Sequence, residues 1–177
     1  PQAGTEQPMF AAIPEKDRGP VYNWVHTAWQ VYDAGIDLYG RWIDRARTHG
    51  LSPWISMRMN DIHGVDNEGH VYHSDFWKRN PQFRRVTHKF TEWTDRAFDF
   101  GHREVRDYHF LLIQELAERF DADGFELDWM RFPTHFRPGF EAEGAELLNG
   151  FMADVRKLLD EGGQKRGRRS KLAVRVP

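Results

Sequence analysis

The sequence predicts an α/β protein of (β/α)8-barrel type, and three observations carry that reading. Amphipathic helical segments alternate with short apolar strands, the order expected of a parallel sheet. Loops before the strands are short, with Gly50 abutting one strand and Asp121-Ala122 preceding another. Loops after the strands are long, the asymmetry of a barrel whose function sits at the strands' carboxyl ends. The third observation is the stretch 123–133, which carries Glu126 and Asp128 on one side of a short strand and closes with Pro133. An acid at the end of a buried strand is costly unless it has a task or a partner.

A complete barrel takes about 200 to 250 residues. The chain has 177 and shows three clear strands. It is therefore read as one domain, an incomplete barrel and the front portion of a larger catalytic domain. Its start at Pro1 without a Met agrees with processing or excision from something longer.

Residues 1–19 form a loop-rich lead-in, broken by one candidate strand at 9–13. Residues 37–49 predict a helix, with Leu38, Trp42 and Ala46 on one face and Gly50 as its cap. The strand 51–60 follows. Ile55, Met57 and Met59 occupy one side, and Ser56, Arg58 and Asn60 the other. Segment 61–102 has little regular pattern and reads as a long βα loop, a kind of segment that is usually functional. Residues 101–120 make the clearest helix, with Val105, Tyr108, Leu112, Leu116 and Phe120 as its apolar stripe. After the acidic strand, a helix is expected over 140–159, stopped by Gly162-Gly163, and then a strand over 171–176.

Bulk properties narrow the function classes. A net charge of -2 gives no general attraction to nucleic acid or anionic membrane, and the basic run 165–169 reads as a solvated turn. There is no cysteine, which excludes disulfides and thiolate metal sites but leaves the compartment open. No apolar run is long enough to span a bilayer. Aromatic residues reach 14%, with seven Trp, a supply suited to stacking on sugar rings as well as to a core.

Period-two alternation places Glu126 and Asp128 on the opposite side from Phe125, Leu127 and Trp129. Asp128, nearer the catalytic rim, is the candidate nucleophile or stabiliser of an oxocarbenium-like transition state. Glu126 reads as a structural partner, and Arg58 and Arg175 as possible ion-pair partners of Asp128. Glycoside hydrolysis uses two carboxyl groups, roughly 5 Å apart for retention and 6.5 to 9.5 Å for inversion. The second is Asp61 or an acid on a later strand. Arg58, Asn60, His63, Trp77, Trp129, Arg131 and His135 are the expected substrate contacts, with Trp93, Tyr72 and Phe76 as further stacking candidates. His63, His70 and His73 with Asp61 and Asp66 match no tight metal-ligand spacing, so neither metal nor cofactor is expected.

Stretch 123–133 resembles the strand-four signature of glycosyl hydrolase-like family ten, roughly Asp-Gly-Ile-His-Phe-Asp-Asp-Tyr-Phe-Tyr-Pro. Asp123, Gly124, Asp128 and Pro133 are identical, and Phe125, Leu127 and Phe132 are conservative. Residues 104–108 and 118–121 look like that family's preceding helix, and 50–60 like its strand three. The likeness covers about 37–177. The family's His is Glu126 here, and its adjacent second Asp is Trp129. A weaker resemblance is to family-18 chitinases, whose proton-donating Glu falls on Met130, and a thioether donates no proton. The first resemblance implies a TIM-barrel glycosidase-type domain, usually exported, hence secreted or periplasmic. Its partner would be an oligo- or polysaccharide, with Asp128 in place of the strand-four acid. The expectation is a carbohydrate-active hydrolase. The alternative is a non-catalytic glycan-binding module. Oligomeric state is not legible.

Overall fold

The computed structural model describes residues 18–60, 62–70, 72–130 and 132–176. The candidate strand at 9–13, and the site candidates Asp61 and Arg131, lie outside the described residues. The chain divides into two compact units, Pro1–His49 and Gly50–Pro177.

The described part of the first unit holds two helices. Helix α1 (Pro20–Asp33) starts with Pro at its first turn, where the missing N–H would have no helical acceptor. Sequence reading leaves this helix out. Helix α2 (Leu38–Thr48) is the expected one. The Asp37 carboxylate caps it by accepting from the Gly40 N–H at 2.9 Å. Gly50 then takes a φ of +70°, the left-handed turn that favours glycine.

The second unit carries the chemistry. Its order is β1 (Trp54–Arg58), α3 (Asp75–Arg79), a 3-10 turn (Pro81–Phe83), α4 (Arg103–Arg119), β2 (Gly124–Asp128), α5 (Glu141–Arg166) and β3 (Lys171–Arg175). The three strands form one parallel sheet in the order β1-β2-β3. The expected (β/α)8-barrel type is thus corrected. Among the described residues there are five helices and one three-stranded parallel sheet, a small α/β arrangement. Helix–strand alternation specifies parallel strands with crossovers, but it does not by itself specify closure, which takes eight strands and a matching shear.

The central strand contributes Phe125 and Leu127 to the core, with Val105, His109, Ile113 and Ala117 of α4 and Phe151, Val155 and Leu159 of α5. All of these are buried. Each large apolar side chain so buried contributes roughly 1.5–3 kcal/mol of transfer free energy. Of the expected α4 stripe, Val105 and Phe120 are buried, but between them His109, Ile113 and Ala117 take the buried positions in place of the half-buried Tyr108, Leu112 and Leu116. Gly162 and Gly163 do not stop α5, which runs on to Arg166 and ends at Gly167 with φ +69°. Gly163 serves packing instead. A Cβ there would meet the Arg168 carbonyl oxygen at 2.7 Å.

One face of the sheet carries the register rows Trp54–Gly124–Lys171, Ser56–Glu126–Ala173 and Arg58–Asp128–Arg175. It is polar, and Trp54, Ser56, Arg58, Lys171 and Arg175 on it are exposed. The Trp54 indole lies over Gly124, where a Cβ would come within 2.7 Å of the ring. This explains a glycine at the first position of the central strand.

Segment 61–102 has a core of its own. Ile62, Val65, Trp77 and Ala97 are buried together, with Phe98 and Phe132 against them. Among the described residues, no helix is long and apolar enough to cross a membrane.

Candidate functional site

Asp128 ends the central strand and is buried at 7% exposure. Its two oxygens have different partners. Oδ1 accepts the Met130 N–H at 3.0 Å, and Oδ2 lies 3.5 Å from the Arg175 guanidinium. The Asp128 carbonyl accepts the Met59 N–H, which continues the β1–β2 ladder past Arg58.

Glu126 lies one row back on the same face. It accepts from the Ser56 hydroxyl at 2.9 Å, and its carboxylate is 3.4 Å from the other terminal nitrogen of Arg175. One guanidinium therefore serves two carboxylates. This agrees with the structural pairing that the sequence reading gives Glu126. Its side chain is 27% exposed, against 8% for Asp128. The ion-pair partner of Asp128 is Arg175, one of the two arginines expected for it. Arg58 stands in register on the other side.

The remaining expected contacts fall into two groups. His63 is half-buried just beyond β1, with its ring edge-on to Phe132 at 5.5 Å. Phe132 in turn meets Trp93 at 5.5 Å. These three follow the carboxyl ends of β1 and β2 and keep an aromatic patch there. The second group is structural. Asn60, 5% exposed, donates through Nδ2 to the carbonyls of Phe98 and Thr134. Trp129 is buried against Phe100, His135 and Phe151. His135 donates from Nε2 to the Trp129 carbonyl at 3.0 Å, and burial lowers its pKa.

Trp77 is also a core residue, at 4% exposure. Its ring lies between the His73 imidazole at 3.7 Å and the Arg84 guanidinium at 3.9 Å, and its indole N–H donates to the Arg96 carbonyl. A ring filled on both faces offers none to a sugar. Trp129 and Trp77 are thus corrected from substrate contacts to packing residues, and Asn60 to a tie between loops. Of the three indoles named as sugar contacts, Trp93 is the exposed one, at 51%.

His73 shares its Nε2–H between the carbonyls of Gly64 and Asn67, both at 2.9 Å. Burial holds its pKa below the usual value. That nitrogen is occupied by structure. Among the described residues, no group of three His, Cys, Asp or Glu is arranged to hold a metal.

The basic run is used internally. Arg168 binds Asp121 and Asp123, and Arg169 binds Asp160. A groove of about 710 Å³ lies between α4 and α5 on the helical side of the sheet, and none of the candidate residues lines it. No protein-family model matches this chain, and no curated protein matches it.

Proposed function

We propose that the open sheet face hydrolyses glycosidic bonds in an oligo- or polysaccharide, with Asp128 as nucleophile or stabiliser of the oxocarbenium-like transition state. The observation that carries this reading is the Arg58–Asp128–Arg175 row at the strands' carboxyl ends, with Glu126 held one row back on the same Arg175. Two residues along a strand span about 6.6 Å. Paired-carboxylate hydrolases hold their acids roughly 5 to 9.5 Å apart. Glu126, more exposed and fixed by Ser56, is then the acid–base partner, and Asp128, fixed on both oxygens, faces the anomeric carbon. Arg58 and Arg175, in register on either side of Asp128, supply donors to sugar hydroxyls.

The test is direct. The chain is incubated with gluco-, xylo-, manno- and chito-oligosaccharides, and new reducing ends are counted. Release from one class is expected. No release from any class would remove the hydrolase reading. A second reading is a glycan-binding module without turnover. It is favoured by the engagement of both Asp128 oxygens. Saturable binding of a sugar without its cleavage would select it.

A further inference from the structure

We infer that Trp93 is the floor of a second, separate sugar-ring subsite, built by the loop 90–96 and taking one neutral pyranose residue. The inference rests on the carbohydrate reading above and extends it to a place that reading does not use. A depression of about 200 Å³ is lined by Asp66, Phe90, Thr91, Glu92, Trp93 and Arg96. That is room for roughly seven waters by liquid volume, the scale of one monosaccharide residue rather than of a chain.

The lining joins two kinds of surface. Trp93 and Phe90 are exposed by 51% and 40%, unusual for aromatic rings that have a packed core close by. Around them stand two carboxylates, a hydroxyl and a guanidinium. Apolar faces beside a few directed polar groups are what a pyranose offers in mirror image, with its C–H face and its ring of hydroxyls.

The depression is held in shape before any ligand arrives. Asp95 is buried, and its Oδ2 accepts the N–H groups of Thr91 and Glu92 at 2.8 and 2.9 Å. The Arg96 guanidinium sits 4.3 Å over the Phe90 ring and donates to the Asp66 carbonyl at 2.9 Å. The Trp93 indole rests edge-to-face with Phe132. A site whose floor and rim are fixed loses little entropy on binding.

Charge selects the ligand. Asp66 and Glu92 against Arg96 leave a net -1 on the lining. Uronic acids and sulfated sugars are repelled, whereas a neutral pyranose gains acceptors for its hydroxyls. Position gives the subsite its use. Phe132 follows β2 four residues after Asp128, so a glycan seated at Trp93 is held on the carboxyl-end side of the sheet.

The experiment titrates the full chain with neutral gluco-, xylo-, manno- and chito-hexaoses and with a hexuronate, followed by calorimetry and tryptophan fluorescence. One neutral class is expected to bind with a change in fluorescence, and the hexuronate is not. Trp93→Ala is expected to weaken that binding roughly tenfold. Trp93→Phe is expected to restore part of the loss, and Trp24→Ala, which alters an exposed indole of the other unit, to change nothing. Equal affinity in Trp93→Ala and wild type, tighter binding of the hexuronate, or no binding of any hexaose would overturn the inference. The two readings fail separately. Unchanged binding in Trp93→Ala alongside turnover by wild type removes only the subsite. Trp93-dependent binding without turnover removes only the hydrolase.

Discussion

Trp77→Ala is expected to destabilise the Gly50–Pro177 unit by about 3–5 kcal/mol, the range for truncating a buried aromatic residue. Several losses combine. The indole is 4% exposed and fills the centre of the Ile62–Val65–Ala97 cluster, so its removal leaves a cavity. The Arg96 carbonyl loses its N–H donor. Arg84, buried at 5% and ion-paired with Glu68 at 2.9 Å, loses the ring beneath its guanidinium. Trp77→Phe keeps the two stacked faces and is expected to lose less, through the indole N–H and a smaller void. Urea denaturation followed by circular dichroism measures both. A loss below about 1 kcal/mol in Trp77→Ala, together with lost sugar binding, would return Trp77 to the ligand side of the account.

Acidification is the second large effect, and His109 is its main source. Burial within α4 lowers the His109 pKa from 6.5 to about 4, against the opposing effect of its hydrogen bonds to the Val105 and Met59 backbone. The folded protein therefore binds fewer protons than the unfolded chain between those values. His109 keeps its full contribution above pH 6.5 and loses it as pH falls through about 4. The gap corresponds to roughly 3 kcal/mol. His73 and His135 shift the same way, also through burial, and deepen the slope. Glu68, held below the usual carboxylate range by its hydrogen bond and ion pair to Arg84, acts only at lower pH. Urea midpoints measured between pH 7 and 4.5 are expected to fall steeply, and the fall to be flatter in His109→Gln. Equal slopes in the two proteins would show that His109 is not the group responsible.

Much of the second unit was legible in the sequence. The three strands, their parallel sense and the two long crossover helices follow from periodicity, and the core of each strand falls inside its expected range. Closure into a barrel was not legible, because β1-α-β2-α-β3 reads the same in an open sheet. The α4 stripe was misplaced because a histidine occupies an inward position, and sequence reading gives His109 no reason to be neutral and buried. Gly162-Gly163 looked like a helix stop because glycine more often ends helices than lets a neighbouring chain close on them.

The site divides along a similar line. The face of Asp128 was visible from alternation, and Arg175 was one of two strand-end arginines expected to pair with it, but the register that sets Arg175 beside it was not legible. Nor was the role of an aromatic ring. Trp77, Trp93 and Trp129 are the same residue type within a short stretch, yet two are packed and one is half in water. Only tertiary contacts separate them. Glu126 was expected to be a structural partner, and it is paired with the Ser56 hydroxyl and with Arg175, which it shares with Asp128.

The hydrolase account rests on Asp128. The most direct measurement compares reducing-end release by wild type and Asp128→Asn on the oligosaccharide class that wild type cleaves, with the thermal transition of each recorded. Asparagine keeps the shape and can still meet the Met130 N–H, but it is neither nucleophile nor charge. The account predicts a fall in kcat of about 10³-fold or more, with the fold retained. Turnover within a fewfold of wild type in a folded Asp128→Asn protein would contradict it.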